Sequence, residues 1–271
     1  MTDFNLIKVD DTHKAINAVK KAVPKTIEAV DSIVSSTINI LGYLPNTVNE
    51  YVQHSLDKTR EKLHQKLDDV PVENITPPPV HIAAPALQAA CYAADCDELH
   101  DMFATLLASA MNVEKQPLVH PAFIEVIKQL SPLEARILSH QSFIVTDIFP
   151  MCTIRIQEKR AFHPLGQDFR ILANGQDWYK NIALYEALKN DPLLDLQKIS
   201  SIADNLSRLQ IILIHNDQHW MSDPKQYNEL LVLFRSFSSK NSAPPGQELA
   251  FIPSMAEITA FGKQFFQACI L

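Results

Sequence analysis

Only five glycines, Gly42, Gly166, Gly175, Gly246 and Gly262, punctuate 271 residues. Average usage would supply about four times as many. Phosphate-cradling loops need glycines in clusters, because only glycine lets the backbone approach a pyrophosphate closely and turn with positive φ. Here no two glycines lie within eight residues of each other. Walker-type loops, dinucleotide-binding loops and a glycine-flanked serine elbow are therefore excluded.

The remaining composition describes a folded chain. Hydrophobic residues make up 46% and charged residues 20%, which is globular rather than disordered. A formal charge of -7 and a pI near 5.8 give no overall field that draws the chain to nucleic acid or anionic lipid, although a local basic patch is compatible with both values. The four cysteines, Cys91, Cys96, Cys152 and Cys269, form no dense framework. The opening MTDFNLIKVDD is polar and acidic where a signal peptide is basic and then apolar. The expectation is a reducing, cytoplasmic setting with free thiols.

Helical periodicity dominates the first half. Ile16, Val19 and Val23 share a face, Pro24 interrupts, and Val30, Ile33, Val34, Ile38 and Leu41 form a second stripe. Its least polar stretch is too short to span a bilayer, which takes about 20 apolar residues. Interfacial membrane contact through Ile27–Leu44 is the sharper alternative to a packed face. A third, charged helix is expected from Asn46 to Asp69, with Val48, Val52, Leu56, Leu63 and Leu67 on one side, and together these helices suggest a helical hairpin. Pro71 and Pro77-Pro78-Pro79 then read as an extended linker, or as a proline-rich recognition ligand.

Beyond the linker, helices are expected at Ile82–Ala94, Asp97–Met111 and Pro121–Gln129. Asp97 and Glu98 fall in a first turn, where the helix dipole favours negative charge. Ser131-Pro132-Leu133-Glu134 is a capping box with proline at the first helical position. Phe143–Val145 and Thr153–Ile156 read as short strands, with helices again at Trp178–Lys189 and Leu194–Leu209. Gln210–Ile214 reads as a strand, and Ile258–Phe265 as a strand end entering a last helix. A helix, a strand, a variable wing and a closing strand–helix suggest a winged-helix-like unit. The helix that would enter a groove offers Lys198 and Arg208 but also Asp195 and Asp204, whereas phosphate contacts dominate DNA affinity.

The candidate ligand clusters each have a plainer reading. Cys91, Cys96 and His100 lack the close pair plus distant pair of a zinc site, so buried thiols are expected. His215 and His219 flank Asn216-Asp217 after a strand, which suggests a turn rather than a chelating helix face. His120-Pro121 and His163-Pro164 mark junctions with no partner readable from spacing. The run Asp95, Asp97, Glu98 and Asp101 could hold a divalent cation, but charge placement at a helix start accounts for it.

Two stretches carry a family resemblance. Residues 94–111, containing Glu98-Leu99-His100-Asp101-Met102-Phe103-Ala104, continue through Val119-His120-Pro121-Ala122-Phe123-Ile124 to Gln129-Leu130-Ser131-Pro132-Leu133-Glu134-Ala135. Asn205-Leu206-Ser207-Arg208-Leu209 and residues 258–269 complete the set. The pattern closely resembles the abortive infection alpha family, from about Pro79 to the C-terminus. One departure is Gln210, where the family pattern has glycine, which weakens the tight turn expected there. The resemblance implies a bacterial or phage-related setting and a role in phage defence, and it brings no catalytic residues with it.

The sequence thus predicts a mainly α protein in three parts: N-terminal helices and linker (1–79), a helical core (80–141), and a mixed segment ending in the winged-helix-like unit (142–271). The expected function is non-enzymatic, a defence factor acting through a protein partner or self-association. No catalytic, cofactor or metal residues and no small-molecule substrate are assigned. The alternatives are a DNA-binding regulator using Lys198 and Arg208, or a membrane-active effector using the N-terminal amphipathic helices.

Overall fold

The computed structural model describes residues 32, 46–93, 96–139, 147–158, 166–172, 192–215, 222–240 and 242–271. The expected helices before Asn46, including Ile27–Leu44 apart from Ser32, lie outside the described residues. So do the strand at Phe143–Val145, the helix at Trp178–Lys189, and Asp95, His163, Asp217 and His219. The chain divides into two compact units, Met1–Ala135 with Gln264–Leu271, and Arg136–Lys263. Among the described residues no helix is long and apolar enough to cross a membrane.

The first unit is helical. It contains α1 (Asn46–Asp68), α2 (Val80–Ala90), α3 (Asp97–Met111), α4 (Ala122–Lys128) and the start of α5 (Pro132–Leu138). α3 is its central rod: every residue from Leu99 to Met111 except Asp101 is buried. The sequence DELHDMFATLLASAM explains this, because its polar residues sit in the first turn and the rest is apolar or small, as a helix surrounded by others requires. α1 and α2 both pack on α3, and α1 does so through Val52, Leu56, Leu63 and Leu67. Four of the five expected stripe positions on α1 are thus buried, and the side chain of Val48 lies outside the described residues.

The proline-rich stretch joins α1 to α2 inside this unit and is tied at several points. The Thr76 N–H donates to Met111 O at 2.7 Å, the Val113 N–H donates to Asn74 O at 2.9 Å, and Ile75 bridges Asn112. Pro78 is buried. The capping box forms as expected: the Ser131 N–H donates to Glu134 Oε2 at 2.7 Å and the Glu134 N–H to Ser131 Oγ at 3.3 Å.

The second unit is built on an antiparallel sheet of β1 (Ile148–Glu158), β2 (Gly166–Leu172), β3 (Ile212–His215) and β4 (Gln247–Ile258), in the order β2-β1-β4-β3. β1 and β4 pair along their whole length, from Ile148 opposite Glu257 to Glu158 opposite Gln247. Phe149, Met151 and Thr153 are buried on one face, Cys152 and Ile154 on the other, so the middle of β1 is covered on both sides. α6 (Pro192–Arg208) packs against β2 and β3, and α7 (Asn228–Lys240) against β1 and β4. α8 (Ala260–Cys269) follows β4; its first turn belongs to this unit and the rest to the other.

Three elements of this unit have no counterpart in the sequence expectations: β2, α7 and most of β4. Pro253 masked β4, since proline argues against a central strand. The β3 strand begins at Ile212 rather than Gln210, because Gln210 and Ile211 end the preceding helix.

Candidate functional site

The metal-ligand candidates in the first unit are spent on packing. Cys91 is buried, its Sγ donates to Leu87 O at 3.2 Å, and burial pushes its thiol up to about 11. Cys96 Sγ donates to Glu98 Oε2 at 3.4 Å, and burial raises its thiol as well. His100 is fully buried, with Nδ1 2.9 Å from Thr59 Oγ1, which also lies 3.1 Å from Ser55 O. The threonine hydroxyl has one proton; when it goes to Ser55, Nδ1 must carry the other hydrogen. Among the described residues no three His, Cys, Asp or Glu side chains form a group that could hold a metal. Cys152 and Cys269 are wholly buried and their thiols are held far above the ordinary range. A thiolate nucleophile is accordingly disfavoured at all four positions.

The acidic run meets lysines instead. Lys58 lies 3.7 Å from Asp97, Lys62 3.8 Å and Lys66 3.0 Å from Asp101. The lysines are spaced one helical turn apart on α1 and face the first turn of α3. Asp97 is 72% exposed, so the individual pairs contribute little.

The histidines separate. His120 Nδ1 accepts the Ala122 N–H at 3.1 Å and so satisfies a backbone donor at the start of α4. His215 Nε2 stands 3.3 Å from Glu257 Oε1 on the neighbouring strand. Lys198 and Arg208 both lie on α6, about 15 Å apart along the axis and about 80° apart around it. The side chain of Lys198 lies outside the described residues. Arg208 is exposed and directs Nε and Nη2 onto Asn205 Oδ1 at 3.1 and 2.6 Å. Asp195 and Asp204 balance these two cations on the same helix.

The residues that carry the resemblance do meet, as joints of the fold. α6 ends in a Schellman turn: the Ile211 N–H donates to Leu206 O at 3.0 Å and the Gln210 N–H to Ser207 O at 3.0 Å. Gln210 has φ 60°. The tight turn expected to be weakened by the missing glycine is therefore formed, with glutamine in the left-handed conformation. Leu206 and Ile211, the two positions that flank this cap, are both fully buried. Thr259 closes on the turn: its hydroxyl donates to Gln210 O, and its N–H donates to Ile211 O at 3.1 Å. The Thr259 hydroxyl oxygen in turn accepts the Gly262 N–H at 2.8 Å, which makes Thr259 the N-cap of α8.

Gly262 is needed because a Cβ there would strike the Ile211 carbonyl oxygen, and would stand 2.9 Å from Ile258 Cγ2. The separate runs Arg208-Leu209-Gln210-Ile211 and Ile258-Thr259-Ala260-Phe261-Gly262 are thus two halves of one clasp. Farther along α8, Phe265 stacks edge-on against Phe123 of α4, with centroids 5.5 Å apart. Gln264 Nε2 donates to Leu118 O at 2.9 Å. Spacing alone could not reveal either meeting, since the partners are about 50 and 140 residues apart.

A family model described as abortive infection alpha matches residues 51–269. No curated protein and no solved structure matches the chain.

Proposed function

We propose, from the premise that this chain belongs to the abortive infection alpha family, that it works in abortive infection by contact with a protein partner and not by catalysis. The observation that carries this reading is the employment of the motif side chains. Phe123, Phe265, Thr259, Gly262, Ser131 and Glu134 are engaged in packing and caps, and the four thiols are buried and hard to ionise. That division leaves exposed faces as the working parts. We further read the α6–β3 and β4–α8 junctions as a winged-helix-like unit with the long β1–β4 pair as its wing. Action in the cytoplasm fits four free cysteines.

The test is phage challenge of a bacterial host with and without the gene. Infected cells are expected to die early and release fewer progeny; unchanged survival and phage yield across diverse phages would count against the reading. Contact is separated from catalysis by His215→Ala and Glu257→Ala. Protection should survive both, and its loss in a folded variant would favour a catalytic dyad instead.

A further inference from the structure

A chain of buried hydrogen bonds ties three helices of the first unit together. Ser55 Oγ of α1 donates to Ala90 O of α2 at 2.7 Å, Thr59 Oγ1 lies 3.1 Å from Ser55 O, and the same Oγ1 lies 2.9 Å from His100 Nδ1 on α3. Ser55 is 2% exposed, and Thr59 and His100 are not exposed at all. Among the described residues His100 is the only buried histidine.

An imidazolium would keep this hydrogen bond, because Nδ1–H can donate to Thr59 Oγ1 while the hydroxyl donates to Ser55 O. What opposes it is the charge, since an ion taken from water into a packed junction loses its solvation. The charged groups of the described neighbouring elements lie at the rim. On α1, Lys58, Lys62 and Lys66 meet Asp97 and Asp101 of α3. Each of those carboxylates thus already answers a lysine, and the same ammoniums oppose a further cation. Glu98 accepts from Cys96 Sγ. His54, Asp57, Arg60, Glu61 and His64 lie off the packed side of α1 and reach solvent. α2 carries no Asp, Glu, Lys or Arg, and its His81 is exposed. Cys91, just beyond it, keeps its proton because burial pushes the thiol up to about 11. On α4, Glu125 and Lys128 pair with each other at 2.9 Å and are exposed.

We propose that His100 makes the closure of α1 on α3 sensitive to acid: the helix stays shut over a neutral imidazole, and protonation of that imidazole releases it. Once released, the ring meets water, where a histidine titrates near about 6.5. The buried neutral form therefore holds α1 in place above that pH, and the hold is lost as pH falls through it. Between about pH 7.5 and 5.5, one such histidine raises the released population about tenfold. Ordinary carboxylates titrate below this interval, near about 4, and lysines far above it. Release bares Val52, Leu56, Leu63 and Leu67, an apolar stripe kept covered near neutral pH. The device does not depend on the function proposed above.

Amide hydrogen exchange of the full chain, read by peptide mass spectrometry at about pH 7.5 and 5.5 and corrected for intrinsic rates, tests it. Protection across residues 56–68 should fall about tenfold on acidification, while that of α4 and of the C-terminal half of α3 changes less than about twofold. In His100→Gln, whose amide can still donate to Thr59 Oγ1, the acid response should vanish. A second measurement needs no variant to fold: nuclear magnetic resonance of wild-type protein labelled with carbon-13 histidine. In the acid sample one histidine signal should keep its neutral position while those of the exposed histidines move. Acid-indifferent protection of residues 56–68, an equal acid response in His100→Gln, loss of protection spread evenly over α3 and α4, or histidine signals that all move together would each overturn the proposal.

Discussion

Replacing Gln210 by glycine should stabilise the second unit. Gln210 holds φ 60°, a conformation that costs an L-residue about 1–2 kcal/mol. Glycine removes that cost but gives up about 0.5–1 kcal/mol of backbone entropy relative to alanine. The exposed bond from Gln210 Nε2 to Ser207 O, 3.1 Å long, is also lost, and its exposure makes it worth only a fraction of the ~1 kcal/mol typical of a protein hydrogen bond. The net expectation is a gain of ~0.5 kcal/mol, or about 2 °C in midpoint for a domain of this size. Gln210→Ala keeps the strain and loses the side-chain bond, so it should be slightly destabilising. Gln210→Val puts a β-branched side chain at positive φ and should cost ~1 kcal/mol or more. Urea unfolding followed by tryptophan fluorescence is the suitable assay, because Trp178 and Trp220 both fall within Arg136–Lys263. Comparison at constant m isolates stability from changes in compactness. An order other than Gly, Gln, Ala, Val, and above all a glycine variant weaker than a valine variant, would show that the left-handed turn is not what ends α6.

The clasp partners give further tests. Thr259→Val should cost ~1 kcal/mol or more through the lost cap and the lost bond to Gln210 O, with Thr259→Ser restoring most of it. A serine no better than valine would mean that the methyl, not the hydroxyl, matters. Gly262→Ala should destabilise by ~1–3 kcal/mol, because the obstructing atom is backbone and cannot rotate away; a neutral effect in the same urea assay would contradict the close approach. Ser131→Ala and Glu134→Ala should each cost ~1 kcal/mol, and the double variant less than their sum, since both belong to one capping box. Burial raises the thiols of the folded chain, so their contribution to stability is complete below the unfolded value of 9.0 and is lost as pH rises toward about 11 for Cys91. Native protein should resist a thiol reagent at pH 8 and react fully in denaturant, and one fast native thiol would disprove the burial.

Most of the helical unit was readable from local pattern. The interval Asp97–Met111, the stripe on Asn46–Asp68 and the capping box at Ser131 are set by residues within a few turns of each other, and periodicity and caps act at that range. β4 was not readable as a strand, because Pro253 speaks against one locally and is overridden by pairing with β1 from Ile148 to Glu158. α7, whose Leu230, Leu231, Phe234 and Phe237 do follow helical spacing, was subsumed in an expected wing.

By itself the sequence carried two local signals, glycines too few and too scattered for a phosphate loop and no zinc-type spacing at Cys91, Cys96 and His100. It also determined the helical class and the family. Only tertiary structure decided what the motif residues are for. Thr259 meets Gln210, and Phe265 meets Phe123, across separations that no periodicity reaches. Gln210 takes a conformation its own chemistry disfavours, because the turn that buries Leu206 and Ile211 outweighs a cost of about 1 kcal/mol.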